Sequence, residues 1–160
     1  LNRRRKARDG KTRLLSLTEP DEAALLSARL HPQMFTFADQ IMITTGFTLR
    51  ACLPLLGRDP PAATFANDRA GLTARIGWAR AKISVLRPAD FAGADVRIIS
   101  HQAGQADLEQ RGSDYLNLFA LPNMWFHLSM AFAILRAQSI KVGKADFDGL
   151  HVYAPGFSWE

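Results

Sequence analysis

Apolar residues recur every three or four positions along several stretches of the chain, and that spacing predicts helices with one buried face. The longest such pattern covers about residues 33–56 and stops at Gly57, a residue that commonly ends a helix. A shorter pattern over residues 18–30 predicts another helix, which Pro32 prevents from continuing. The inner stripe of the longer helix comprises Phe37, Ile41, Thr44, Thr48, Ala51 and Leu55.

Two further helices are predicted by the same spacing. One covers about residues 67–86, and either Asn67 or Asp68 can cap its first turn. The other is a long apolar helix over about residues 113–135, followed by a polar segment that contains glycine. Because Pro122 lies inside this last helix, we expect a kink there or a restart with the proline in the first turn.

Residues 89–113 have a different character. Val96, Ile98 and Ile99 indicate a short strand, SHQAGQ (100–105) indicates a turn, and ADLEQRG (106–112) can return as a second strand. Helices nevertheless dominate. The predicted fold is therefore mainly α, an antiparallel helical bundle with a small β-hairpin inserted before the last helix.

The distribution of charge divides the chain into three parts. Its 160 residues suit one domain, and its net charge of +5 resides in residues 1–16, which hold seven basic residues and one acidic residue. Residues 17–160 hold 13 basic and 14 acidic residues and are nearly neutral. We therefore distinguish a basic N-terminal arm (1–16), a single helical-bundle domain (17–150) and a C-terminal tail (151–160).

The basic arm has two interpretations. It can be a solvated tail, or it can bind nucleic acid or another anionic surface. No aromatic residue is interleaved with its basic residues to stack on bases, and charged segments of this kind are typically solvated. We therefore do not expect nucleic acid as a partner, and any such function would rest on the arm alone.

Cysteine usage and hydropathy bear on the compartment. Cys52 is the only cysteine, so no internal disulfide can form and the cytoplasm is the default location. The longest nearly apolar run, residues 124–135, is shorter than the roughly 20 residues that a membrane-spanning helix needs. No secretory hydrophobic segment follows the basic start. We therefore expect a cytoplasmic protein that does not enter the membrane.

A polar pair interrupts the last apolar helix. Asn123 and His127 are four residues apart, so their side chains can lie on the same helix face. Gln40 lies at the edge of the inner stripe of the helix over residues 33–56. These three side chains form the predicted polar patch of the bundle interior. The predicted wall of a pocket around this patch comprises Met34, Phe35, Trp125, Phe126 and Phe132.

Three stretches of the chain carry a resemblance to a known family. They are DYLNLFALPNMWFHLSMAFAILR (114–136), KVGKADF (141–147) and ARLHPQMFTFADQI (28–41). Over about residues 19–149 the chain resembles a bacterial family described as a domain of unknown function, grouped with the DinB-like, YfiT-like bundle superfamily. The resemblance implies a DinB-like four-helix bundle. Many members of that superfamily bind metal, some are thiol-dependent transferases or isomerases, and many are dimers.

The resemblance also implies where a metal site would lie. The superfamily site usually has three histidines, two of them four residues apart on the last helix and one on the second helix. Here these positions fall on Asn123, His127 and a position near Gln40. Neutral amides bind transition metals poorly, so this degenerate site is expected to hold no metal tightly, and His127 is the ligand if any divalent ion binds.

The first long apolar helix of such a bundle has no counterpart before Thr18, where the basic arm stands instead. A bundle that lacks one wall exposes a large apolar face. Association can cover such a face, and we therefore expect a homodimer.

Three hypotheses follow for the polar patch. In the first, His127 is a core histidine hydrogen-bonded to Gln40, Asn123 or Thr44. In the second, the three polar groups line a pocket that binds an unknown small molecule without a cofactor. In the third, His127 is a metal ligand or general base of a metal-dependent, thiol-dependent transferase or hydrolase, assisted by Asp39 or Asp114.

The sequence favours binding as the positive function, although it does not decide whether the protein is an enzyme. No phosphate-binding loop, dinucleotide fingerprint, zinc-protease motif or nucleophile elbow occurs in the chain. His31, His101 and His151 lie in breaks, turn-like stretches or tails and are expected at the surface. The remaining alternative is a structural or interaction protein whose basic arm binds nucleic acid.

Overall fold

The computed structural model describes residues 19–154 and 156–157. The basic arm, the predicted cap at Thr18 and the last three residues of the predicted tail lie outside the described residues. The described chain is mostly helical and contains one two-stranded antiparallel sheet. Its helices are α1 (Glu19–Ser27), α2 (Phe37–Cys52), α3 (Arg69–Ser84), α4 (Gly112–Ala137) and α5 (Lys144–Asp148).

The first turn of α2 is fixed by a capping box, which places its start four residues later than the hydrophobic pattern predicts. The hydroxyl of Thr36 accepts a hydrogen bond from the backbone N–H of Asp39 at 3.2 Å, and the Asp39 carboxylate accepts one from the Thr36 backbone N–H at 3.0 Å. Upstream, the Met34 N–H donates to the His31 carbonyl in a separate turn. The capping residues therefore decide the helix boundary.

The other end of α2 follows from its proline and glycine. The helix ends at Cys52, and Pro54–Leu56 continues as a 3-10 turn. Gly57 stops this turn with a φ of 68°, a left-handed conformation that favours glycine.

The first turn of α3 is capped by Asp68 and not by Asn67, the other predicted cap, since the Asp68 carboxylate accepts a hydrogen bond from the Gly71 N–H at 2.7 Å. This helix ends at Ser84, two residues before the predicted end at Leu86.

The predicted hairpin is confirmed, but its turn is shorter than predicted. Strands β1 (Ile98–Ala103) and β2 (Ala106–Arg111) pair antiparallel, with Ile98 opposite Arg111 and Ala103 opposite Ala106. The turn is therefore the two residues Gly104 and Gln105, and the predicted turn residues from Ser100 to Ala103 belong to β1. Gly104 has a φ of 62°, which lets the chain reverse within two residues.

Helix α4 is continuous but changes register before Pro122. An α-helical start at Gly112–Asp114 is followed by a π-helical stretch, Tyr115–Ala120, and α-helical geometry resumes at Leu121–Ala137. The Leu121 N–H donates to the carbonyl of Leu116, five residues back, as a π-helix requires. The predicted restart with Pro122 in its first turn is confirmed.

Helix α2 lies at the centre of the described fold and contacts α1, α3 and α4. Three groups of buried apolar residues fill these contacts. One joins α1, α2 and the end of α4, one joins α2 to α3, and one joins the end of α2 to the hairpin and the start of α4. Their members include Leu25, Phe37, Ala131 and Ile134, then Leu49, Leu53 and Ala79, then Leu55, Ile99, Tyr115 and Ala120.

The apolar character of α4 extends beyond the predicted 12-residue run. The helix has 26 residues and is long and apolar enough to cross a membrane by length and composition, a test that the core helix of a soluble protein also passes. Helix α5 lies in the polar, glycine-containing segment that the sequence predicts after the last helix. Its Phe147 packs against the rings of Trp125 and Phe132, with centroids 6.0 and 5.5 Å apart.

Candidate functional site

The site begins with a hydrogen bond between the two central helices. His127 of α4 and Gln40 of α2 are both buried, and the His127 Nδ1 donates to the Gln40 Oε1 at 2.7 Å. Because an amide oxygen only accepts, the proton of the neutral ring must lie on Nδ1. The Nε2 of His127 then carries an unprotonated lone pair. Gln40 thus fixes both the orientation and the tautomer of the imidazole.

Burial also fixes the charge of this histidine. Desolvation lowers the pKa of His127 below its ordinary value of 6.5, because the cationic ring loses hydration inside the protein. The ring is therefore neutral at neutral pH. At that pH Nε2 can accept a hydrogen bond, and it cannot act as a cation.

Aromatic rings surround the His127 imidazole on several sides. Phe47 of α2 is buried and stacks nearly parallel to it, at 14° and 6.1 Å between centroids. Phe126 meets it edge-on at 5.2 Å, and Phe35 lies tilted at 6.1 Å. Phe35 and Phe126 are 55% and 53% exposed. Two of the three rings beside His127 therefore face solvent.

The second ring nitrogen of His127, Nε2, has no hydrogen-bond partner among the described residues. Among the described residues, the buried side-chain atoms without a hydrogen-bond partner are Thr44 Oγ1, Arg75 Nε and His101 Nδ1. The His127 Nε2 is not sealed in this way, and 8% of the residue is exposed. Thr44 lies on the same face of α2 as Gln40, one turn further on. Within the described residues, an acceptor nitrogen and a hydroxyl without partners thus lie on the helix faces that meet here.

Asn123 does not join the bond between Gln40 and His127. Its side-chain Nδ2 donates at 2.7 Å to the carbonyl of Phe119, four residues back in the same helix. This carbonyl lies in the π-helical stretch, just before the proline that supplies no N–H. The structure thus brings Gln40 and His127 together, while Asn123 serves the backbone of α4.

The predicted pocket wall divides between two places. Phe35 and Phe126 contact the His127 ring, and Met34 is half-buried in the turn before α2. Trp125 and Phe132 lie elsewhere, because each contacts Phe147 of α5. The sequence analysis placed all five residues around one pocket because it did not predict α5, whose Phe147 contacts Trp125 and Phe132.

His101 is corrected from a surface residue to a half-buried residue of β1. Its Nε2 bonds to Gln110 Oε1 at 2.7 Å, and its ring lies 4.2 Å from Phe119 and 4.9 Å from Tyr115. The partial burial of His101 could have been predicted from the alternation of side chains in a strand, since His101 is two residues from the buried Ile99 and shares its face. The sequence analysis placed His101 in a turn, where this alternation does not apply. His31 and His151 are exposed, as predicted.

Arg50 lies between the rings around His101 and those around His127, because its guanidinium contacts one ring of each group. Its guanidinium lies 4.8 Å from the Phe47 ring centre and 5.2 Å from that of Phe119. It also donates to the carbonyl of Gln102 at 3.4 Å. The Tyr115 hydroxyl donates to the Arg50 carbonyl at 2.9 Å, and burial raises the pKa of Tyr115, so this phenol stays protonated.

The donor atoms at His127 do not fit a transition-metal site. Within the described residues, no three His, Cys, Asp or Glu side chains form a group that could hold one metal ion. Gln40 cannot serve as a second ligand beside Nε2, because its oxygen is held by Nδ1 on the other side of the ring. Gln40 instead accepts the N–H of the ring nitrogen that would face away from a metal. Metal-bound histidines commonly donate their second N–H to a partner of this kind.

Two cavities lie away from His127. A cleft of about 420 Å³ is lined by residues of α1 and by Thr36, Asn67 and Asp68. A smaller cavity of about 90 Å³ lies among α1, α2 and α3, with mostly apolar walls. An ion pair between Arg69 and Glu22, 3.0 Å long, lies beside the smaller cavity. Neither cavity is lined by Gln40, Asn123 or His127.

Comparisons with known proteins place the fold among described ones. A family model described as "Domain of unknown function (DUF1993)" matches residues 13–148. The crystal structure of a DinB family member protein from Shewanella denitrificans is similar to this chain, with a TM-score of 0.74 and 28% sequence identity. The similarity covers 84% of this chain and 76% of that one. No curated protein matches the chain.

Proposed function

Given that this chain belongs to the family described as Domain of unknown function (DUF1993), we propose that it binds a small molecule at the His127–Gln40 pair. The observation that carries the proposal is the direction of the His127 ring. Its Nδ1 is fixed by Gln40 at 2.7 Å, and its Nε2 is unprotonated and has no hydrogen-bond partner among the described residues. A ligand that donates one hydrogen bond can use this nitrogen without disturbing the core.

The competing explanation is that the pair only satisfies two buried polar groups. A histidine with that role normally has both ring nitrogens bonded or turned to bulk water, with apolar neighbours well covered. Here Phe35 and Phe126, which contact the His127 ring, stay more than half exposed. Thr44, on the same face of α2 as Gln40, also has a buried hydroxyl with no partner in the described part of the chain. Both features support a ligand.

Nitrogen-resolved NMR of the histidine rings, combined with a screen of small aromatic fragments, tests the proposal. We expect the wild-type His127 to show protonated Nδ1 and unprotonated Nε2, and a bound fragment to shift the Nε2 signal. His127→Phe keeps an aromatic ring but removes the acceptor, and should weaken fragment binding by about tenfold, the factor for one hydrogen bond of about 1.4 kcal/mol.

Two further variants make the outcome specific. Gln40→Leu should release the tautomer and weaken the same fragments, which a purely packing role would not do. His151→Phe is the matched control, because this exposed ring contacts Asp148 and Tyr153 and does not contact His127. Equal binding by wild type and His127→Phe would contradict the proposal.

We propose further that no transition metal binds tightly. One imidazole with an accessible nitrogen is a weak site by itself. The alternative of a metal-dependent transferase or hydrolase rests on the histidine–amide pattern that metal-bound histidines share. Metal analysis of purified protein distinguishes the two, and one equivalent of zinc or nickel that is lost in His127→Ala would contradict our proposal.

The finer architecture and the assembly are also proposals. We propose a DinB-like four-helix bundle that forms a homodimer in the cytoplasm, with neither a membrane nor nucleic acid as a partner. Support comes from residues 115–135 of α4, which contain no charged side chain. The outer face of this helix, opposite the core, is exposed or only partly buried. We define this outer face as Leu118, Pro122, Trp125, Ser129 and Phe132.

A further inference from the structure

The part of α4 around His127 contains no charged side chain that a ligand could contact. From Tyr115 to Leu135 it has no Asp, Glu, Lys or Arg. A ligand resting on this part of α4 therefore finds neither a counter-ion nor a repelling charge on the helix itself.

The facing helix adds no free charge either. Between Phe37 and Leu49, α2 has one ionisable residue, Asp39, and its carboxylate is occupied by the backbone and hydroxyl of Thr36 at 3.0 and 2.7 Å. The first basic residue of α2 is Arg50, whose guanidinium lies over two rings and donates to the Gln102 carbonyl. A charged ligand at His127 would lose hydration without gaining an ion pair, at a substantial cost in free energy.

The surfaces that flank the His127 ring are aromatic. Phe126 presents its ring perpendicular to the imidazole, at 87°, and Phe35 is tilted by 57°. Phe47 lies nearly parallel to the imidazole, at 14°. Rings in such arrangements gain most from a further flat ring, through stacked or edge-to-face contacts. The exposed halves of Phe35 and Phe126 are available for that contact.

Resting on the proposed function, we infer that the ligand is an uncharged aromatic ring with one N–H or O–H donor at its edge. The donor bonds to the Nε2 of His127, and the ring lies against Phe35 and Phe126. Molecules of the indole and phenol classes have this chemistry. Ionised carboxylates lack such a donor, and neither they nor phosphates find a Lys or Arg to pair with between Phe37 and Leu49 of α2 or between Tyr115 and Leu135 of α4.

Three related compounds test the class directly by calorimetric or NMR titration of the full chain. Indole has the ring and the donor, 1-methylindole has the ring without the donor, and indole-3-acetate adds a negative charge. We expect indole to bind, and each of the other two to bind about tenfold more weakly, the loss that one unmet hydrogen bond or one unpaired charge produces.

Two ring variants test the placement of the ligand. Phe126→Leu and Phe35→Leu should each weaken indole binding severalfold, since both rings are exposed and their replacement leaves the core intact. Phe157→Leu is the matched control, an exposed ring that stacks on Tyr153 at 4.7 Å and does not contact His127. Circular dichroism and thermal melting confirm that each variant is folded.

The outcomes separate this inference from the proposed function. If indole-3-acetate binds as tightly as indole and both depend on His127, the uncharged class is wrong while binding at His127 stands. If 1-methylindole equals indole, the donor to Nε2 is wrong. If neither these compounds nor any screened fragment binds in a way that depends on His127, both proposals fail.

Discussion

Burial of the His127 ring opposes its protonation, and the free energy of unfolding therefore depends on pH through this residue. In the unfolded chain the ring titrates near its ordinary pKa of 6.5, whereas burial lowers the pKa in the folded state. The unfolded state therefore binds more protons below about pH 6.5, and falling pH favours unfolding. Above that value the ring is neutral in both states and contributes no pH dependence.

We therefore predict that the free energy of unfolding decreases as the pH falls from about 6.5 towards the lowered pKa of the folded state. Urea denaturation of wild type and His127→Phe at a series of pH values measures this effect. The decrease should be shallower in the variant, while the other three histidines contribute equally to both proteins. His31→Phe, which replaces an exposed ring, is the matched control for the loss of one histidine. Parallel curves for wild type and His127→Phe would contradict the prediction.

The sequence accounts for the residue types at the site better than for their contacts. That Gln40, Asn123 and His127 are polar positions on apolar helices follows from helical periodicity alone. Which of them bond depends on the register between α2 and α4, a tertiary property that periodicity does not contain. Asn123 illustrates the difference, because its side chain bonds to the Phe119 carbonyl of its own helix and not to Gln40 or His127.

At the level of secondary structure, Gly112 shows how closely the hairpin and α4 approach. A Cβ at this position would lie 1.9 Å from the carbonyl oxygen of Ala94 and 2.9 Å from a methyl of Leu55. The Gly112 N–H also donates to the Arg97 carbonyl at 2.8 Å. Only glycine allows the backbone of the loop before β1 to rest on the first turn of α4.

We predict that Gly112→Ala lowers the free energy of unfolding by about 1–3 kcal/mol, the usual cost of inserting atoms into a packed site. Gly77→Ala is the matched control, since a Cβ there meets nothing within 4 Å on the exposed side of α3. It should raise stability by about 0.5–1 kcal/mol, because alanine restricts the unfolded chain and favours helix. Urea denaturation of both variants measures the two effects. Equal effects would contradict the packing at Gly112.

The boundaries of helices were predictable from the sequence where a single residue at the boundary determines them. Asp68 as a cap, Gly57 as a stop and Pro122 as a restart all act through their own backbone or side chain. Helix α5 was missed because it has five residues and is held by Phe147, whose partners on α4 are distant in sequence. The hairpin turn was misplaced because SHQA is polar, although it pairs fully with β2.

On the scale of the whole molecule, the outer face of α4 is an apolar surface that the described residues cover only in part. Leu118 is 70% exposed, and α5 covers only the part of this face around Trp125 and Phe132. Exposed apolar patches without charge commonly mark protein–protein contacts. A second copy presents an equally uncharged face, so the two can pair without leaving a charge buried.

We therefore predict a dimer that dissociates on dilution, measured by sedimentation velocity over a range of concentrations. Leu118→Asp should shift the population to monomer, because it would place a carboxylate within the apolar contact. Val85→Asp serves as the control, since Val85 is equally exposed but lies at the end of α3. A monomer at all concentrations, or a dimer indifferent to Leu118→Asp, would show that another surface is used.

The π-helical stretch Tyr115–Ala120 bears on how family members can differ in length. Loss of one residue from it would restore the α-helical register and rotate everything before it by about 100° relative to His127. Tyr115 would then turn away from the Arg50 carbonyl, and the hairpin would lose its contact with α4. The bond between His127 and Gln40 lies after the stretch and would persist. Single-residue deletions in this turn are therefore expected to alter the hairpin and to leave the His127 site unchanged.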